Sequence, residues 1–84
     1  MNPRVVSVQT RKDHIIEITF DNGEIGLYPC SELLNFGVFK ELRKLDYFHQ
    51  ASVLDGTVVW PHGQDICPDT LYIDSEKRDA AEQI

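Results

Sequence analysis

Ile16, Ile18 and Phe20 alternate with Glu17 and Thr19, a period of two that a half-buried β-strand explains and a helix does not. Asp21-Asn22-Gly23-Glu24 follows at once. Its Asn-Gly pair tolerates positive φ at both central turn positions, so the chain is expected to fold straight back as a hairpin. Ile25 and Leu27 carry the apolar face into another strand that ends at Pro29. Upstream, Val6 and Val8 are expected on one face of a strand over Arg4–Gln9, with Ser7 and Gln9 on the other. Lys12-Asp13 supplies the polar turn between the first two strands. A three-stranded antiparallel meander therefore opens the chain.

Ser31 before Glu32-Leu33-Leu34 reads as the N-cap of one short helical turn, broken by Gly37. A second helix is expected from Val38 to Leu45. There Val38, Leu42 and Leu45 fall at spacings of four and three, Phe39 adjoins them, and Lys40, Arg43 and Lys44 point outward. Asp46-Tyr47-Phe48 adds a turn that buries Phe48. Ala51–Leu54 and Thr57–Trp60 read as two more strands joined at the turn Asp55-Gly56. Beyond Tyr72, residues 74–84 are good helix formers with almost no apolar face, and short isolated helices are marginal in water. The expected architecture is α+β: the meander, short helices across one face, and a β-hairpin completing the sheet. A single domain would span residues 1–73, and 74–84 a polar C-terminal helix or tail.

The run Trp60-Pro61-His62-Gly63-Gln64-Asp65-Ile66-Cys67-Pro68-Asp69-Thr70-Leu71-Tyr72 gathers the only tryptophan, two of the four prolines and most candidate chemical side chains. Pro61 removes an amide donor and fixes φ, and Gly63 accepts a left-handed conformation, so the chain should turn sharply there. Asp65 and Asp69 have the short carboxylates that accept backbone N–H groups in turns and at helix starts. Their expected work is to hold the loop's shape. This run resembles the W-P-x-G-x-D-[IL]-x-P-[DE]-x-L-Y signature of the bacterial family catalogued as domain of unknown function 2442. Phe20-Asp21-Asn22-Gly23-Glu24 is similar to that family's F-x-[DN]-G-E hairpin, and Leu33 through Phe39 to its L-L-x-x-G-x-F segment, with Phe48 matching a following phenylalanine. The similarity spans about residues 4 to 72. It implies a small α+β domain without an established activity, sometimes solitary and sometimes fused to a helix-turn-helix DNA-binding module. With only twelve residues after Tyr72, such a module is not expected in this chain.

His62, Asp65, Cys67 and Asp69 lie within eight residues and include side-chain types that ligate zinc, but their spacing matches no closed structural site, so no metal is expected. His62 and Cys67 are close in sequence, yet no local signature of a cysteine hydrolase surrounds them. There is no G-x-S-x-G elbow and no glycine-rich loop to cradle a phosphate. The expectation is a protein that is not an enzyme and takes no cofactor. Trp60, Tyr72, Tyr47 and Tyr28 could form either a recognition surface or core plugs.

Fourteen acidic residues against eight basic ones give a net charge of −6, which repels a phosphate backbone. The two basic groups, Arg4, Arg11, Lys12 and Lys40, Arg43, Lys44, each have an acid nearby and read as solvated surface. With no basic-then-apolar leader and no apolar run near the ~20 residues of a membrane span, the cytoplasm is the expected location. Cys30 and Cys67 are expected as reduced, buried or half-buried thiols. A chain this short buries only roughly 60 to 65% of its unfolded surface, so pairing with itself or another protein would help it. The function these features suggest is a small acidic protein–protein interaction module, in a narrower form an antitoxin-like partner masking a basic co-encoded protein. Trp60, Pro61, His62, Gly63, Asp65, Asp69 and Tyr72 form its candidate surface or shape its loop. The alternative is the accessory or dimerising half of a DNA-linked transcriptional regulator.

Overall fold

The computed structural model describes residues 2–78. Strands β1 (Val5–Arg11), β2 (Ile15–Phe20) and β3 (Ile25–Pro29) pair antiparallel in sequence order. The alternation in β2 works as its sequence requires: Ile16, Ile18 and Phe20 are at most 1% exposed, while Ile15, Glu17 and Thr19 are half-buried. In β1 the faces differ from expectation. A register shift between Val5 and Ser7 turns Val5 into the core and leaves Val6 exposed, so Val6 and Val8 do not share a buried face.

The β2–β3 connection also departs from the simple two-residue turn. Gly23 has φ +90° whereas Asn22 keeps a negative φ. The Gly23 amide donates to Phe20 O at 3.0 Å, the Phe20 amide to Glu24 O at 2.9 Å, and the Glu24 amide to Asn22 Oδ1 at 3.0 Å. Asn22 thus contributes a side-chain acceptor, and one positive φ suffices because three residues make the loop.

Between β3 and the next strand the chain runs through two 3-10 segments, Ser31–Asn35 and Gly37–Arg43, and a single α turn, α1 (Leu45–Phe48). Ser31 does not cap the first segment. Cys30 holds that position, without a side-chain cap bond. The expected α-helix over Val38–Leu45 is replaced by the tighter coil, and this changes its buried face. With about three residues per turn, Phe39 and Leu42 stack on one side. Leu42 is fully buried, Phe39 packs partly against the core, and Val38 and Leu45 are exposed at 68% and 51%.

Strands β4 (Ser52–Leu54), β5 (Thr57–Val59) and β6 (Asp65–Ile66) form a second, three-stranded antiparallel sheet. The hairpin therefore does not complete the first sheet. It meets β1 through its own turn, where the Val5 amide donates to Gly56 O at 3.0 Å and the Arg4 guanidinium donates to Asp55 O. Asp55 and Gly56 both have positive φ, the two-residue turn their sequence predicts.

Helix α2 (Pro68–Asp74) follows, and then β7 (Glu76–Arg78), which pairs with β3 and gives the first sheet the order β1-β2-β3-β7. A helix or tail was expected from residue 74. Instead Ser75, extended and buried, ends α2 against Gly26, and the open edge of β3 supplies ladder partners that local propensity does not foretell. A Cβ on Gly26 would lie 2.5 Å from Ser75 Oγ, so this crossing requires glycine. The rest of the expected helix, residues 79–84, lies outside the described residues. One cluster unites Ile16, Ile18 and Phe20 with Val58, Trp60 and Ile66 of the second sheet and with Leu42, Phe48 and Leu71 of the helical segments. The fold is thus α+β, built on antiparallel sheets with short helices.

Candidate functional site

The β5–β6 connection is a tight loop from Trp60 to Gln64. Gly63, at φ +99°, lets its amide donate back to Trp60 O at 3.0 Å, and the Trp60 amide donates to Gln64 O at 2.9 Å. Trp60 itself is 2% exposed, and its indole N–H donates to Phe48 O at 2.9 Å. It is a core plug with its polar end satisfied. Tyr47 is likewise buried, at 8%.

What fixes the loop is a side chain that sequence reasoning passed over. Gln64 is 3% exposed, and its amide is fully engaged. Its Oε1 accepts from the Tyr47 hydroxyl at 2.5 Å, and its Nε2 donates to Val38 O at 2.9 Å and to Glu41 Oε1 at 3.0 Å. The Tyr47 oxygen in turn accepts the His62 amide at 2.7 Å. The loop is thereby joined to the Gly37–Arg43 segment and to α1 by a satisfied buried network, an arrangement that specifies one geometry. Gln64 occupies an unspecified position of the family signature, and a lone glutamine in a turn has no periodicity, so nothing in the sequence marked it.

On the outer side, His62 stacks on Tyr47 with ring centroids 4.9 Å apart, and its Nδ1 lies 2.6 Å from Glu41 Oε2. Its side chain is 63% exposed. The Gln64 amide, and then the His62 ring, hold the Glu41 carboxyl below its usual range. A carboxylate-oriented imidazole is the pair a general base uses, but among the described residues no serine, threonine or cysteine is hydrogen-bonded to His62. The pair can orient a contact.

The other singled-out residues have different partners. Pro61 is exposed beside His62. Asp65 lies on β6, paired with Val59, and its carboxylate takes no hydrogen bond among the described residues. Asp69 sits inside the first turn of α2, whose N-cap is Cys67, and its carboxylate accepts from Asn2 Nδ2 at 3.3 Å. Tyr72 packs edge-on against Phe20 and donates to Glu24 Oε1 at 2.6 Å, which raises its pKa. Lys77 Nζ lies 4.4 Å above its ring. The structure therefore gathers Trp60, His62 and Gly63 around Gln64, while Asp69 and Tyr72 tie α2 to the N-terminus and to the β2–β3 loop.

Both cysteines are free. Cys30 is buried, and burial pushes its thiol up to about 12. Cys67 is exposed, not half-buried, and the Thr70 hydroxyl and amide lower its pKa. Among the described residues no three His, Cys, Asp or Glu side chains gather as metal ligands. No helix among them is long and apolar enough to cross a membrane.

No curated protein and no solved structure matches the chain. The model of the family described as "Protein of unknown function (DUF2442)" matches residues 5–76, from the first residue of β1 to the first of β7. That span covers β1 to β6, α2 and the clamped loop, and the chain belongs to this family.

Proposed function

We propose that the chain is a small acidic protein–protein interaction module of the cytoplasm, in its narrower form an antitoxin-like partner that covers a basic co-encoded protein. The observation that carries this reading is the Gln64 network, which holds the Trp60–Gln64 loop from beneath while Pro61, His62 and Gly63 stay exposed. A loop fixed before contact loses little conformational entropy on binding, which is how rigid recognition loops gain affinity. The net charge of −6 favours a basic partner by speeding encounter.

The test is affinity purification of the tagged chain from its native host beside a Pro61→Ala/His62→Ala variant, whose changes are confined to exposed side chains. The wild type should recover one stoichiometric partner, and the variant should keep its circular dichroism spectrum and lose that partner. Recovery of self-dimers alone, or of the same partner by both proteins, would contradict the reading.

A further inference from the structure

Where β3 ends and α2 closes, Tyr28, Pro29, Glu32, Leu33 and Asp74 line a recess of about 400 Å³. Its two charged side chains are both carboxylates, and they come from different elements: Glu32 from the first 3-10 segment and Asp74 from the last residue of α2. Neither makes an ion pair among the described residues. Two acids on a surface are not yet a site.

The second observation is Tyr28. Its ring belongs to the core cluster, and the residue is 8% exposed. Its hydroxyl has no hydrogen-bond partner among the described residues, although a buried phenol ordinarily finds one. It is not sealed off either. Among the described residues, Ser75 Oγ is the one fully enclosed side-chain polar atom left without a partner, so the Tyr28 oxygen is not fully enclosed, and Tyr28 is one of the residues that line the recess. Its pKa is raised by burial first and then by neighbouring negative groups that include Asp74 and Glu32, which puts phenol and carboxylates within each other's field. A phenolic oxygen without a protein partner and two unpaired carboxylates thus belong to one recess, with no cation lining it among the described residues. Pro29, Leu33 and the Tyr28 ring supply apolar wall.

We propose that this recess receives the side chain of an arginine from a protein partner, its guanidinium bridging Glu32 and Asp74 and donating to the Tyr28 hydroxyl oxygen while its methylenes lie along Leu33 and Pro29. A guanidinium presents five donors in a planar fork, enough to serve acceptors on separate elements at once. The recess offers acceptors at one end and apolar surface at the other, the two chemistries an arginine carries. This deepens the interaction-module reading and rests on it: it names the chemistry by which a basic partner is held, at a place separate from the clamped loop.

The experiment uses two-dimensional amide NMR of the full chain titrated with Nα-acetyl-arginine methylamide. Its neutral isostere Nα-acetyl-norleucine methylamide and calcium chloride at matched ionic strength serve as comparisons. The arginine probe should give saturable shifts confined to residues around Tyr28, Glu32, Leu33 and Asp74, and the other two additives should not. In Glu32→Gln/Asp74→Asn, which alters exposed positions only, binding should weaken at least about tenfold, the loss of two charge-assisted hydrogen bonds. Tyr28→Phe should weaken it less. Shifts scattered over every acidic residue, equal shifts with norleucine or calcium, or undiminished binding to the double variant would overturn the assignment. A native partner recovered equally by wild type and double variant would leave the interaction reading standing and remove the recess from it. Confined probe binding with no partner recovered in any form would support the cation site and sink the interaction reading.

Discussion

Gln64 shows how one neutral side chain can organise a surface that its sequence neighbours only decorate. Its amide supplies an acceptor to Tyr47 and donors to Val38 and Glu41, and no other residue type of that size can do both. Replacement by its acid isostere isolates the donor half. At neutral pH Gln64→Glu would leave the Val38 carbonyl unserved and set two carboxylates side by side, a cost of about 1–3 kcal/mol. As pH falls through the carboxylate range the new acid regains a proton to donate, and the deficit should shrink. The wild type loses stability over the same range, which narrows the gap further. Glu41 has a lowered folded-state pKa, so its contribution is present above its ordinary value and fades as pH drops through the lowered one. Urea unfolding of both proteins at pH 7 and pH 4 reads the gap, and a gap that is constant or widens in acid would contradict this role. None of it was legible in advance. Trp60, Pro61 and Gly63 announce a turn by their backbone chemistry, but the partner that locks the turn comes from residues 38 to 47 and is visible only once the chain has closed.

The elements differ in how far local pattern determines them. Period-two alternation in β2 is unambiguous within five residues, and Asp55-Gly56 dictates its turn, so these strands could be placed directly; the face of β3 could not, since Gly26 and Tyr28 are buried beside Ile18 and Ile16 while Ile25 and Leu27, expected on the apolar face, are only half-buried. The Gly37–Arg43 segment could not. Apolar residues three and four apart fit either coil, and the difference falls on Val38, which the tighter coil leaves exposed while Phe39 and Leu42 face the core. Mutation separates the two geometries. Leu42→Ala should cost about 2–5 kcal/mol, since it empties a fully buried position. Val38→Ser should stay within about 0.5 kcal/mol, because its side chain is in solvent and only its carbonyl is used. Comparable losses for the two in thermal unfolding would restore the α-helical face. Strand β7 is the opposite case. Glu76-Lys77-Arg78 has no strand signal of its own, and the free edge of β3 confers its conformation.

At the scale of the whole molecule, two small sheets and their helical connections share one core. Its organisation puts order beneath the surface. The loop after Trp60 is held in one shape by the buried network and is not a mobile connection. Native-state amide hydrogen exchange tests that most directly. The amides of Trp60, His62 and Gly63 each donate within the clamp and should be protected nearly as well as those of β2. Tyr47→Phe, which removes the acceptor of the His62 amide and the donor to Gln64, should strip protection from this loop while β1 and β2 keep theirs. Fast exchange of the three loop amides in the wild type, or protection unchanged by Tyr47→Phe, would mean that the buried network does not hold this loop.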